Sequence, residues 1–141
     1  MQTPEIRGGP EESPVPLRAC IVDDHAAVRE WLTGKLDSLG VDVCAASDTV
    51  AGGVEAIRTH RPDLVVVDNR LPDGRGTDLC REVSASLPEV ALILHTGVIS
   101  PLEESQAYEA GVSRIALKSI QGEDLLAAVA ELAYRRRGRW R

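Results

Sequence analysis

No stretch of this 141-residue chain approaches the roughly 18 unbroken apolar residues of a membrane helix, so none of it is expected to span a bilayer. The first sixteen residues, MQTPEIRGGPEESPVP, lack both the basic start and the apolar run of a secretory signal. Cysteine is scarce. Cys20, Cys44 and Cys80 are too few and too scattered for a disulfide framework or a C-x-x-C metal knuckle. The expectation is a reduced, cytoplasmic protein whose thiols serve as small apolar residues. The three histidines, His25, His60 and His95, do not form a ligand cluster.

Positive charge is also short, with a formal net charge of −6, and it is unevenly placed. Residues 1–16 carry −2 and the terminal RRRGRWR, 135–141, carries +5, which leaves −9 on residues 17–134. An acidic body argues against nucleic acid binding by the domain itself. Seven residues at a chain end, five of them arginine, read as a solvated tail or the start of a linker.

Half of the eight prolines lie in the first sixteen residues, among Gly and Glu, so 1–16 reads as a disordered N-terminal tail. From Leu17 short apolar runs alternate with amphipathic segments. The runs are Leu17–Val22, Val41–Ala46, Leu64–Val67, Val90–Leu94 and Arg114–Leu117, mostly apolar on consecutive positions, as strands buried on both faces should be. Between them Val28, Trp31, Leu32, Leu36 and Leu39 keep a helical period, as do Leu125, Leu126, Val129, Leu132 and Ala133. Ser100-Pro101-Leu102-Glu103 is a helix-start signature, and Gly40 and Gly111 sit where helices should end. Five strands and five helices in alternation predict one α/β domain over 17–134, with a parallel sheet covered on both faces.

Ligands of an open parallel sheet bind at the carboxyl ends of its strands. Asp23 and Asp24 follow the first run (IVDDH), Asp68 the third (PDLVVVDNRLPDG), Thr96 the fourth (ILHTG) and Lys118 the fifth (IALKS). Three converging carboxylates repel one another unless a cation resides among them, and an oxygen-only donor set points to Mg²⁺. A lysine and a hydroxyl opposite such a cluster make a receptacle for a phosphoryl group carried by one carboxylate. Each residue has a bland reading alone: the Asp pair as a helix cap, Lys118 as a solvated loop lysine, Thr96 as the cap of the next turn. Their joint placement favours the site.

In these residues the chain resembles the receiver domain of bacterial two-component response regulators. The likeness is carried by IVDDH, an Asp 44 residues after Asp24, a Thr 28 residues after Asp68 and a Lys 22 residues after Thr96. The strings DDH and DNRLPDGRGTDLC resemble the subfamily that usually carries a LuxR-type helix-turn-helix output domain. The resemblance implies a flavodoxin-like, doubly wound five-stranded sheet of order 2-1-3-4-5. It implies that Asp68 accepts a phosphoryl group from a sensor histidine kinase, with Lys118 neutralising the acceptor and Thr96 swinging toward the phosphoryl group. Mg²⁺ would be held by Asp24, by Asp23 directly or through water, by Asp68 and by the backbone carbonyl of Arg70. Such a protein catalyses only its own phosphoryl transfer and autodephosphorylation. It would reach DNA only through an output domain outside this chain, and would pair as a homodimer through the region 90–134.

Some positions depart from that pattern. Ile115 stands where an aromatic is usual, Ser119 follows the lysine, and His95 replaces a common aliphatic. Ile115 therefore keeps open an interaction module that no longer switches. A haloacid-dehalogenase-like phosphatase shares the residue types, but it expects an Asp two positions after the nucleophile, where Arg70 stands. His25 reads as a helix-start residue near the acidic site, His60 as a helix-end residue, His95 as a packed side chain and Trp31 as core. Arg70 and Val98, each two residues past a site residue, are expected to influence phosphoryl lifetime.

Overall fold

The computed structural model describes residues 16–138. The tail read over 1–16 lies outside them apart from Pro16, as do Trp140 and the end of the basic segment read over 135–141. Five strands, β1 (Arg18–Val22), β2 (Asp42–Ser47), β3 (Leu64–Asp68), β4 (Ala91–Thr96) and β5 (Arg114–Leu117), form one parallel sheet of order β2-β1-β3-β4-β5. Five helices alternate with them: α1 (Ala26–Ser38), α2 (Val50–His60), α3 (Gly76–Ser86), α4 (Pro101–Glu109) and α5 (Glu123–Gly138). This is the flavodoxin-like order. Helix α5 runs four residues past the boundary read at 134, and no described helix is long and apolar enough to cross a membrane.

The consecutive apolar runs hide a period of two. Cys20, Val22, Val65, Val67, Leu92 and Leu94 face a core with Val54 and Ile57 of α2 and Leu79 and Val83 of α3. Ala19, Ile21, Leu64, Val66 and Ile93 face the other way, against Leu32 and Leu36 of α1 and Leu125 and Val129 of α5. Only the central strands are buried on both faces. In β2, at one edge, Asp42 and Ala46 are exposed and the rest half-buried, and β5 at the other edge is buried only at Ala116. Edge strands have a neighbour on one side only, a distinction that composition does not carry.

Helix ends follow the local signals. Ser100 Oγ accepts the Glu103 N–H (3.1 Å) while the Glu103 carboxylate accepts the Ser100 N–H (2.9 Å), with Pro101 in the first turn. Gly40 and Gly111 leave α1 and α4 at φ +78° and +100°, in the left-handed region that favours glycine. Burial pushes the Cys20 thiol up to about 12, reinforced by Cys44 beside it, and pushes Cys80 up to about 12. Both remain protonated and apolar.

The helical period of α1 overreached at its end. Leu36 is fully buried, whereas Leu39, at the C-cap, is 43% exposed, and Trp31 is half-buried with Lys35 Nζ 5.6 Å from its ring centroid. Leu36→Ala should therefore lower unfolding free energy by about 2–5 kcal/mol in urea titrations. Leu39→Ala should cost less than about 1 kcal/mol. Equal losses would contradict this assignment of the core face.

Candidate functional site

The sheet delivers its polar residues to one edge. Asp23 directly follows β1 and its N–H is fixed by the Ser47 carbonyl (3.0 Å); Asp68 closes β3; Thr96 closes β4; Lys118 directly follows β5, its N–H bound to the Thr96 carbonyl (2.8 Å). Lys118 Nζ lies 3.2 Å from Asp68 Oδ2 and 3.6 Å from Asp23 Oδ2. Asp23 and Asp68 are buried, at 1% and 6% exposure, while Asp24 is exposed. Donor atoms of Asp23, Asp24, His25 and Asp68 all lie within 4.8 Å of one another.

This arrangement is short of positive charge. Lys118 brings one charge against three carboxylates. Attraction at about 3.2–3.6 Å is near 5 kcal/mol per pair at an effective dielectric of ~20. Each carboxylate pair within about 5 Å repels by roughly 3–4 kcal/mol at least on the same scale, although exposed Asp24 counts for less. Lys118 roughly offsets the repulsion and leaves desolvation uncompensated. The buried Asp23 Oδ2 has no hydrogen-bond partner, its ion pair with Lys118 being too long for one. Three carboxylates, one of them with an orphaned buried oxygen, fit a hard divalent cation.

The Asp pair does not cap α1. His25 is the N-cap residue and no side chain caps there; instead Asp23 Oδ1 accepts the His25 N–H (2.9 Å) and faces His25 Nδ1 (3.2 Å). The Arg70 N–H donates to Asp68 Oδ1 (3.3 Å), which fixes the chain two residues beyond the acid, while the Arg70 side chain is exposed. Thr96 is buried, and its hydroxyl donates to the Val98 carbonyl (3.3 Å), so it is engaged with its own loop. His95, in register with Asp68, is buried and neither ring nitrogen has a hydrogen-bond partner. Burial, and then the Lys118 charge, hold its pKa below the ordinary imidazole value, so the ring packs as a neutral group.

Two supporting residues escaped the sequence reading. Gly76 opens α3 so close to the acid that a Cβ there would stand 2.3 Å from the Asp68 carbonyl oxygen; any other residue must displace the Asp68–Asn69 backbone. A short hairpin, Arg70–Leu71 with Gly74–Arg75, carries Asp73 across to the start of α2. There its carboxylate accepts the N–H groups of Val50 (2.7 Å) and Ala51 (3.1 Å), two of the unpaired donors of a helix N-terminus. A Pro-Asp-Gly turn and a Gly before Thr-Asp were the only hints of either.

Residues 19–130 match the family model described as response regulator receiver domain. The DNA-binding transcriptional activator DevR/DosR of Mycobacterium tuberculosis is 34% identical over 120 residues, covering 82% of this chain and 54% of that protein. The response regulator MprA of a Mycobacterium species is 32% identical over 121 residues, covering 86% and 52%. The chain thus spans about half the length of the curated relatives it matches. Among solved structures, a LuxR-family two-component response regulator from Aurantimonas superposes with a TM-score of 0.79 at 28% identity, covering 84% of this chain and 86% of that one. The signal receiver domain of NarL from Mycobacterium tuberculosis superposes at 0.77 and 26% identity, covering 85% and 98%.

The two N–H bonds to Asp73 hold its pKa below the ordinary carboxylate value. A depressed pKa contributes stability that is complete above the unfolded-state value, about 4, and lost as pH falls through the lower folded-state value. Asp73→Ala should lower the melting temperature at pH 7, and the gap to the parent should shrink as pH drops below about 4. A gap of the same size at pH 7 and pH 3 would contradict this role for the carboxylate.

Proposed function

The chain belongs to the response regulator receiver domain family, and on that premise we propose that Asp68 accepts a phosphoryl group from a sensor histidine kinase and thereby switches the face built by Thr96 and Lys118. The observation that carries the reading is the buried Asp68 carboxylate beside Lys118 and Asp23, at the carboxyl edge of the sheet. Mg²⁺, held by Asp23, Asp24, Asp68 and the Arg70 carbonyl, would supply the charge that offsets the phosphoryl oxygens. Asp68 is the nucleophile. Lys118 neutralises it before transfer and holds a phosphoryl oxygen afterwards. The chain catalyses only its own phosphoryl transfer and autodephosphorylation.

Phosphorylation adds about −1.5 to −2 charges at Asp68. The new charge-assisted hydrogen bond from Thr96 is worth roughly 1.5–3 kcal/mol, while Lys118 exchanges its present bond to Asp68 Oδ2 (3.2 Å) for one to the phosphoryl group. To make its own bond Thr96 must leave the Val98 carbonyl, which costs about 1 kcal/mol. The net gain of about 0.5–2 kcal/mol from Thr96 covers part of the roughly 5.5 kcal/mol that inverts a 1:99 population. The loop that Thr96 releases carries Val98, 83% exposed, into α4. Ile115, half-buried against the face lined by Leu92 and Leu94, stands where the resemblance expects an aromatic. The movement would therefore be transmitted by aliphatic packing.

The output is proposed to be a DNA-binding domain of the LuxR type, in a protein working in the cytoplasm; the likeness to a DNA-binding transcriptional activator and to a LuxR-family response regulator supports the output domain. Exposed Val98, Leu102, Tyr108, Leu117 and Ile120 support pairing of two copies through the region 90–134. Incubation with Mg²⁺ and a small phosphodonor should add one phosphoryl mass to the parent and none to Asp68→Asn. Thr96→Ala should still gain the mass, yet lose the change in backbone NMR shifts over residues 97–105 that the parent shows. A phosphoryl gain on Asp68→Asn, or an unaltered shift response in Thr96→Ala, would overturn the respective assignment.

A further inference from the structure

We infer that His25 is a nitrogen donor to the cation site and biases it toward borderline divalent ions such as Co²⁺ and Ni²⁺, an inference that rests on the cation-site reading above. His25 Nδ1 lies 3.0 Å from Asp24 Oδ1 and 3.2 Å from Asp23 Oδ1. Two donors at about 2.1 Å from one ion, on adjacent vertices of an octahedron, are about 3.0 Å apart. The imidazole nitrogen thus stands at ligand-to-ligand spacing from both carboxylates.

Its position is set by the backbone. His25 is the N-cap of α1 with φ −100° and ψ 115°, and its N–H is clamped to Asp23 Oδ1 at 2.9 Å. Three successive residues therefore bring donor atoms within 4.8 Å of one another and of Asp68 at the end of β3. A separate observation also calls for a ligand there: the Asp23 Oδ2 atom is buried and has no hydrogen-bond partner. The ring itself is 65% exposed, so its proton can sit on Nε2 in water and leave the Nδ1 lone pair for an ion.

The donor set then reads as three carboxylates and one imidazole. Magnesium favours oxygen and keeps its waters, so it gains little from the nitrogen, whereas imidazole suits the later transition ions. The competing reading is a plain ion pair, in which protonated His25 sits between the two acids and competes with every cation alike. The two readings predict opposite signs on removal of the ring.

Calorimetric titration of the full chain with MgCl₂ and with CoCl₂ separates them, using the parent, His25→Gln and, as a control for stray imidazole binding, His60→Gln. A ligand role predicts that His25→Gln weakens Co²⁺ binding about tenfold or more and alters Mg²⁺ binding by less than about twofold, with His60→Gln unchanged. Proton NMR of the Co²⁺-loaded parent should show strongly shifted His25 ring signals. Tighter binding of both ions by His25→Gln, or equal small changes, would overturn the role of His25 and leave the cation site standing. Failure of the parent to bind either ion would overturn the cation-site reading and this inference with it.

Discussion

Lys118 brings its ammonium within 3.2 Å of Asp68 and 3.6 Å of Asp23, and the rest of the carboxyl edge is arranged around that pair of contacts. Without it two buried carboxylates would face each other with nothing to offset their charge. With it the site is tolerable but still short of positive charge, because Asp24 stands beside them. In the proposed function that shortage is what a cation would meet. A site balanced by protein charges alone would have no use for a cation and no room for a phosphoryl group. The core supplies the rigidity this needs. The strands that carry Asp23, Asp68 and Thr96 are central and sealed on both faces, so the acids cannot drift apart to relieve their repulsion.

The same edge divides into rigid and movable parts. Asp68 is pinned by the Arg70 N–H on one side and by the close approach of Gly76 on the other. Asp73 ties the loop beyond it to the N-terminus of α2. Thr96, by contrast, spends its hydroxyl on a neutral carbonyl two residues away, a bond cheap enough to exchange for a charged one. The acid is thereby held still, whereas the Thr96 hydroxyl is left with a bond it could exchange in the proposed switch. Ile115, where the family resemblance expects an aromatic, keeps its packing against the core that also holds Leu92 and Leu94.

Much of this was legible in the sequence because it depends on local signals. The apolar runs marked every strand of the main sheet, the Ser-Pro-Leu-Glu string marked the start of α4, and Gly40 and Gly111 marked two helix ends. The acids, the hydroxyl and the lysine could be placed at one edge because parallel topology sends every strand end there. What was not legible depends on contacts between distant segments. Composition cannot distinguish an edge strand such as β2 from a central one. The period of α1 does not reveal that Leu39 lies past the last buried turn. The closeness of Gly76 to Asp68, the reach of Asp73 to α2 and the approach of His25 Nδ1 to two acids all arise from loop paths, which no spacing rule supplies.

The most direct test of the charge shortage is the melting temperature of the full chain as a function of MgCl₂, at ionic strength held constant with NaCl. A cation that binds the folded state alone stabilises it by RT ln(1 + [L]/Kd), about 2.7 kcal/mol at a hundred times Kd. The account predicts a rise that follows this logarithmic form for the parent and is largely abolished in Asp24→Asn. A melting temperature indifferent to Mg²⁺, or a rise of equal size in both proteins, would contradict it.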